Sequence, residues 1–586
     1  MTPAIQTLWS ELIVGALADA GVTTCVVSPG ARSTPIVAAL IAERRFELPA
    51  IIDERAAAFF ALGIARTTGA TVAMVCTSGS AAAHYLPAIV EASESAVPLI
   101  AITADRPPEL QHCGATQTID QIKLYGSFVR GSFDVGAPVG SASALRAVHR
   151  TVLQAVTLAR GPRPGPVHLE VPLRKPLEPA APHTADELKL QNTAAALRRV
   201  PMAAAAPRLT ADPTTIAALG EAIAAERRGI IVAGAMAPTF VGDDVVELAA
   251  RAGYPVLAEA ASGLHASHRD VVFVDHFDVA LRSQQFGGAP APALIIQLGA
   301  DPVSAGWAPS GIAAARWMLC DHTWKDPESS ASGVIVGDIA ATCRALCDDL
   351  AKRGAGQREQ PVNPFTRQWQ EVSTRVARAT DRALAAHPRT EAAILRAALA
   401  ALPDGAIVQI GNSLPIRVVD QVWQTSHRGT HTVIAQRGAA GIDGMIASAT
   451  GATHRGVPVL LVVGDVSFAH DLGGLLVARD AKAPLAILVL DNGGGRIFDG
   501  MPIARATDRA AFERYFAMAP GIDPCAVATA LGLRAIAATT VEATTAAVAA
   551  ALATLGPTVI HAPVTATGAH DFRRTTLELL EGTPHA

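Results

Sequence analysis

Pro458-Val-Leu-Leu-Val-Val-Gly464-Asp465 and Leu485-Ala-Ile-Leu-Val-Leu-Asp491-Asn492-Gly-Gly-Gly495 are two segments built on one plan. Each is a short apolar run that ends in an acidic or amide residue with glycine beside it. Parallel strands buried on both faces read this way, and their carboxyl ends are where such sheets present ligand-binding groups. A helix over about Asp471 to Asp480 fits between the two as a βαβ crossover. The carboxylate of Asp465, the amide oxygen of Asn492 and a bare backbone carbonyl make an oxygen set for a hard divalent cation, and the cation can in turn hold a diphosphate. Taken alone, the pattern is equally that of a plain strand end followed by a turn.

Outward from this pair, the same alternation of buried strand and helix fills the chain, which implies an α/β protein with parallel sheets covered by helices. Strands are expected at Thr24–Val27, Thr71–Cys76, Leu99–Thr103 and Val167–Val171, and again at Ile407–Ile410, Thr432–Ala435, Val457–Val463, Ala486–Leu490 and Thr558–His561. Helices are expected over Pro35–Arg44 and Arg55–Thr67. At 586 residues the chain has room for about three or four domains. The expected division is residues 1–180, a linker over 181–213 rich in Ala, Pro and Thr, a central α/β domain over 214–351, a second linker over 352–388, and a C-terminal domain over 389–586. Ala543–Ile560 is apolar but interrupted by Gly556-Pro557, so it reads as helix, turn and strand rather than a membrane span.

Half the residues are hydrophobic and 17% are charged, which suits large buried cores. A net charge of −4 without a basic stripe gives no reason to expect nucleic acid. The seven cysteines form no Cys-x-x-Cys pair and no zinc set, and are read as reduced thiols of a cytoplasmic protein. Met1–Trp9 has neither the basic nor the apolar region of a signal peptide.

Three further stretches carry chemistry. Asp53-Glu54-Arg55 leads into an Ala-rich helix, so Glu54 lies where a helix dipole stabilises a carboxylate. Cys76-Thr-Ser-Gly-Ser80 is a strand-to-helix turn that tolerates an anion. In Thr103-Ala-Asp-Arg106-Pro-Pro-Glu109, two prolines fix a rigid corner after Arg106.

Read in order, Ser28-Pro-Gly-Ala31-Arg32-Ser-Thr-Pro35, Asp53-Glu-Arg55, Thr77-Ser-Gly79, Thr103-Ala-Asp-Arg106-Pro-Pro-Glu-Leu110, Gly114-Ala-Thr-Gln117, Gly411-Asn-Ser413-Leu-Pro-Ile-Arg417, Gln436-Arg437-Gly-Ala-Ala-Gly441-Ile442-Asp443-Gly444 and Asn492-Gly-Gly-Gly-Arg-Ile497-Phe498 form a series. The series resembles the 2-succinyl-5-enolpyruvyl-6-hydroxy-3-cyclohexene-1-carboxylate (SEPHCHC) synthase family of menaquinone biosynthesis, within the thiamine diphosphate enzymes. The resemblance implies three α/β domains: pyrimidine-binding, central and diphosphate-binding. It implies a transferase that decarboxylates 2-oxoglutarate and joins the resulting succinyl-semialdehyde enamine to isochorismate by 1,4-addition. It implies thiamine diphosphate with Mg2+ or Mn2+ as cofactors, and no membrane partner.

The resemblance also carries roles residue by residue. Glu54 matches the glutamate that activates the cofactor through its aminopyrimidine ring, which removes the need for a separate histidine or lysine base. Asp465, Asn492 and the Gly494 carbonyl match the metal ligands, with Val466 where the usual motif has glycine. Ser413 and Ser467 match positions near the diphosphate; Gly441 matches a cofactor-binding position, and Ile442 the bulky residue that props the cofactor into a bent shape. Ile497 and Phe498 match apolar walls of its pocket. Arg32, Arg106, Arg417 and Arg437, with Gln117, match substrate-binding positions, as guanidinium forks suit substrates with two carboxylates each.

Two departures stand out: Ala31 where the family often has serine, and no lysine after Gly299-Ala-Asp-Pro302-Val-Ser304-Ala-Gly-Trp307, where many members place one. The alternatives are another 2-oxoacid decarboxylase or synthase of the acetohydroxyacid synthase type, and a non-catalytic cofactor-binding relative. The resemblance further implies a homodimer or tetramer with active sites at the subunit interface.

Overall fold

The computed structural model describes residues 2–199, 203–264, 271–283, 288–308, 311–354, 363–429 and 431–582. It contains three parallel sheets flanked by helices, as the alternation predicts. The chain forms two compact units: Met1–Pro207 together with Gln436–Arg455, and Arg208–Ala435 together with Gly456–Ala586.

The first unit holds a five-stranded sheet in the order Cys25–Val27, Val72–Cys76, Leu99–Asp105, Val167–Pro172 and Ser132–Asp134. Every residue of Val72–Cys76, Leu99–Asp105 and Val167–Pro172 is buried, as expected of parallel strands covered on both faces. One face packs on helices Pro3–Asp19 and Ala142–Arg160, whose Trp9, Leu12, Leu145 and Val152 join the core with Ile100 and Leu169. Ser132–Asp134 is an edge strand that the sequence reading did not include; three half-exposed residues give too short a pattern to detect.

Elsewhere in this unit, helix Glu54–Thr68 is capped by Asp53, whose side chain accepts the Arg55 N–H, and it lies against helix Met445–Ala452. The crossing is backbone to backbone. A Cβ on Gly63 would fall 2.0 Å from the Ser448 carbonyl oxygen, and one on Gly451 would fall 2.1 Å from that of Phe60.

The second unit holds two sheets. The central one runs Gly333–Val336, Ala315–Cys320, Leu294–Leu298, Gly229–Ala233 and Val256–Ala258. The C-terminal one has six strands, in the order Thr432–Ala435, Ile407–Ile410, Val459–Gly464, Pro484–Asp491, Gly556–Pro563 and Arg534–Ala537. The stretch Ala543–Ile560 is indeed helix, turn and strand, with the helix at Val541–Leu552.

Three stretches carry secondary structure in more detail than the sequence reading gave. The segment 181–213 contains helix Ala185–Arg199, in which Glu187 accepts the backbone N–H groups of His183 and Thr184, and the Thr184 hydroxyl accepts the Glu187 N–H. This reciprocal capping stabilises a helix start in a polar sequence. The segment 352–388 contains the long helix Pro364–Ala386, begun by Asn363 as N-cap and Pro364 in the first turn, and anchored by fully buried Trp369; residues 355–362 of that segment lie outside the described ones. The helix expected over about Asp471–Asp480 is the shorter Gly474–Ala478, and a further short helix, Asp465–His470, precedes it. All seven cysteines are free thiols, five of them buried. Among the described residues no helix is long and apolar enough to cross a membrane.

Candidate active site

The C-terminal strand ends behave as the opening segments predict. Strands Val459–Gly464 and Pro484–Asp491 pair in parallel, with Gly464 opposite Leu490. Asp465 follows directly as the first residue of a helix and is buried. Its Oδ1 accepts the Val466 N–H at 3.0 Å and its Oδ2 accepts the Gly494 N–H at 2.7 Å, so the carboxylate ties the two strand ends together.

Asn492 donates through Nδ2 to Glu391 Oε1 at 2.9 Å, and its own Oδ1 is buried without a hydrogen-bond partner. Gly494 adopts φ +115°, and a Cβ there would fall 2.3 Å from the Ala517 carbonyl oxygen, so only glycine fits the turn. Burial first, and then the neighbouring Asp491, pushes the Asp465 carboxyl up to about 6. A buried carboxylate beside an amide oxygen with no donor is an unbalanced set, and a hard cation is the group that balances it. The residues present therefore fit a divalent metal.

The other residues singled out in the C-terminal segment lie in the same unit. Ser467 is buried and Val466 half-buried on the turn after Asp465. Ser413 holds φ +70°, a costly conformation for a non-glycine residue, and its carbonyl accepts from the Arg417 guanidinium at 2.7 Å. Ile497 packs against the core of the C-terminal sheet, and the Phe498 ring meets Phe516 edge-on at 5.8 Å.

In the first unit, Arg106 and Gln117 meet at the Ser78-Gly79 turn, and Arg32 lies near Arg106. Arg106 donates to the Ser78 hydroxyl, and Gln117, held at φ +59°, donates to the Ser78 carbonyl at 3.0 Å. Arg32 is buried and donates to the Leu173 carbonyl at 2.7 Å. Burial and the nearby Arg106 both lower its affinity for a proton, with Asp105 opposing them. Among the described residues, neither Arg32 nor Arg106 forms an ion pair with a carboxylate. Glu54 stands at the first turn of its helix, half-buried, with His84 Nδ1 3.8 Å away.

Arg437, Gly441 and Ile442 lie on the loop that precedes helix Met445–Ala452, within the same unit. Glu91 fastens this loop: Oε1 accepts the Gly438 N–H at 3.1 Å and Oε2 accepts the Ala439 N–H at 2.7 Å. Glu91 is itself in a buried ion pair with Arg66 at 2.7 Å. Between this loop and helix Leu86–Glu94 lies a pocket of about 300 Å³, lined among others by Leu86, Val90, Gln436, Gly441 and Asp443.

Several supporting residues escaped the sequence reading. Glu391 orients Asn492, and Asp491, next to Asn492 in the same motif, accepts from the Gly493 N–H at 3.1 Å and pairs with His561 at 2.8 Å. Asp491 was visible in the motif; Glu391 and Glu91 carry no local signal, because each works on a distant loop. The turn after Gly299, which lacks the family lysine, is tied inward. Its Val303 and Ser304 amides donate to Glu259, and the Ser304 hydroxyl donates to Asp278 at 2.5 Å.

Residues 9–124 match the family described as thiamine pyrophosphate enzyme, N-terminal TPP binding domain, and residues 418–562 match its C-terminal TPP binding domain. The chain is 41% identical over 581 residues to a SEPHCHC synthase of Sorangium cellulosum, covering 96% of this chain and 93% of that protein. It is 37% identical to the synthase of Geobacillus thermodenitrificans, covering 86% and 84%, and 36% identical to that of Haloarcula marismortui, covering 89% of each. In fold it is similar to the benzoylformate decarboxylase of Polynucleobacter necessarius, with a TM-score of 0.70 at 18% identity over 95% of this chain and 98% of that one.

Proposed function

The chain belongs to the SEPHCHC synthase family of thiamine diphosphate-dependent enzymes, a transferase of menaquinone biosynthesis, and we propose the substrates, metal and residue roles through which it works. The substrates are 2-oxoglutarate and isochorismate, and the acetohydroxyacid synthase-like alternative is not favoured. The domain roles follow the sequence reading: pyrimidine-binding over 1–180, central over 214–351, diphosphate-binding over 389–586. The functional form is a cytoplasmic homodimer or tetramer with active sites at the subunit interface.

Bound thiamine diphosphate supplies the carbon nucleophile and the electron sink needed to lose carbon dioxide from a 2-oxoacid. Asp465, Asn492 and the Gly494 carbonyl hold Mg2+ or Mn2+, with Ser413, Val466 and Ser467 beside the diphosphate. Glu54, in the first turn of its helix, offers its carboxyl group to the cofactor's pyrimidine ring. Gly441 and Ile442 support the cofactor, and Ile497 and Phe498 keep water from the reacting carbon. Arg32, Arg106, Gln117, Arg417 and Arg437 bind and orient the substrate carboxylates.

The observation that carries the substrate assignment is the pair Arg32 and Arg106, two clustered guanidinium groups without carboxylate partners beside an amide donor. Clustered positive charge of this kind is balanced by a polyanionic ligand. The test is an assay with 2-oxoglutarate and isochorismate, each omitted in turn, following carbon dioxide and the adduct. Adduct formation requires both substrates and thiamine diphosphate. Turnover of pyruvate in preference to 2-oxoglutarate, with no adduct, would overturn the assignment.

A further inference from the structure

Beneath the Ser78-Gly79 turn lies a group of buried polar side chains with no role so far. Strands Leu99–Asp105 and Val167–Pro172 pair in parallel with Thr103 opposite Glu170. Alternation along each strand places Thr103 and Asp105 on one side, together with His168 and Glu170. All four are at most 3% exposed, and Gln121 is fully buried among them.

The hydrogen bonds form two arms. In one, Gln121 Nε2 donates to Glu170 Oε1 at 3.1 Å, while Gln121 Oε1 accepts the Gly79 N–H at 2.8 Å. In the other, Gln111 Nε2 donates to Asp105 Oδ2 at 2.6 Å and to the Arg106 carbonyl at 3.1 Å. The first arm fixes the turn on which Arg106 and Gln117 rest; the second fixes the corner that carries Arg106.

The donor count is one short. Glu170 is served by Gln121 and by the Thr103 hydroxyl, itself 2.6 Å from His168 Nε2. Asp105 Oδ1 is buried without a hydrogen-bond partner, and the Arg106 N–H beside the carboxylate only partly offsets its burial. The two acids interact directly, and a carboxyl proton is the donor that completes the set.

The groups facing the pair do not supply a counter-charge in contact with it. Burial holds His168 neutral, down to about 4. Asp134 from the edge strand adds negative charge, and Cys76 and Tyr125 are neutral in this setting. Arg32 and Arg106 are the cations nearby, and both are directed to other partners.

We propose that Asp105 and Glu170 share one proton and act as positioning residues, holding the Gly79 amide and the Arg106–Gln117 segment in register for an anionic substrate. The proposal rests on the substrate reading above. Loss of the shared proton sets two carboxylates against each other and releases both arms. Burial, and then mutual repulsion, pushes the Asp105 carboxyl up to about 7; burial pushes that of Glu170 up to about 7. The release therefore falls in the neutral to mildly alkaline range.

The test uses the full-length wild-type protein with D105N, E170Q and D105L. Infrared difference spectra between wild type and each amide variant read the pair without substrate or cofactor. The expected result is a protonated-carboxyl band in the wild type that fades as the pH rises through about 7 and is absent from D105N and E170Q. In turnover, wild-type kcat/KM is expected to fall above that pH, and the amide variants to lose that limb, since an amide donates the missing hydrogen bond without a titrating proton. D105L, which cannot donate, is expected to raise KM for the dicarboxylate about tenfold with a smaller change in kcat.

No titrating band, or an alkaline limb unchanged in both amide variants, overturns the proposal. If wild type forms no adduct from 2-oxoglutarate and isochorismate, the substrate reading fails instead, and the infrared result decides on the proton pair by itself.

Discussion

The strand-end site of the second unit and the loop-built site of the first are made in opposite ways. At Asp465 and Asn492 the groups proposed to hold the metal leave adjacent paired strands, and a few short hydrogen bonds fix them. At Arg32, Arg106 and Gln117 the groups come from three separate loops, and their order depends on buried acids and amides one layer below. The first arrangement suits a cation that demands oxygen ligands at set positions. The second suits a substrate that must enter, react and leave. The contrast predicts abrupt losses when a strand-end ligand is removed and graded losses when a loop contact is.

The largest effect is expected from Glu54→Gln, which tests the one loop-unit residue assigned to chemistry. Adduct formation should fall by about a thousandfold, while metal-dependent binding of thiamine diphosphate, followed by calorimetry, persists. Activity equal to wild type would remove Glu54 from the mechanism.

Next comes Asp465→Ala. After chelator treatment and titration with Mg2+, half-maximal activity should require about a hundredfold more metal or better. Glu391→Ala, which only frees Asn492, should need about tenfold more. Equal shifts for the two would break the distinction between ligand and support.

For the loop-built site, Arg106→Lys keeps the charge but loses the planar fork. The KM for 2-oxoglutarate or isochorismate should rise about tenfold, with kcat changed less; an unchanged KM for both substrates would remove Arg106 from binding.

The smallest effect concerns stability. Burial raises the Glu170 carboxyl from its ordinary 4.5 to about 7, so between those values the folded chain binds more protons than the unfolded one. Stability is then fullest below about 4.5 and declines as the pH rises through 7, by an amount on the order of 1 kcal/mol. Denaturant midpoints across this range should show the decline in wild type and a flatter line in E170Q.

The strand ends were legible because a buried parallel strand must be apolar throughout and must end in something polar, and Val459–Gly464 followed by Asp465 does both on a local stretch. Arg32, Arg106 and Gln117 are proposed as site residues from an ordered series rather than from local physics, for nothing in Gly114-Ala-Thr-Gln117 announces a bend at φ +59°. A helix within the Ala-, Pro- and Thr-rich stretch 181–213 was left open by composition, and Thr184-Ala-Asp-Glu187 spells the capping box that begins it at Ala185–Arg199. The helix at Pro364–Ala386 was likewise announced by Asn363-Pro364 and by Trp369, Val372 and Val376 at helical spacing. Glu91, Gln121 and Glu391 could not be found locally, because each acts on residues brought close only by folding.

The crossing at Gly63 and Gly451 has a mechanical consequence for the helix that begins at Glu54. Two absent methyl groups let one polypeptide backbone rest directly on another, so the position of the helix is gauged by main-chain atoms that no rotamer change can move. A Gly63→Ala replacement, about two and a half turns from the acid, acts as a shim: it should cost about 1–3 kcal/mol and tilt the rod that carries the Glu54 carboxyl group. Catalytic alignment in this enzyme is thus vulnerable at a point where there is no side chain to see.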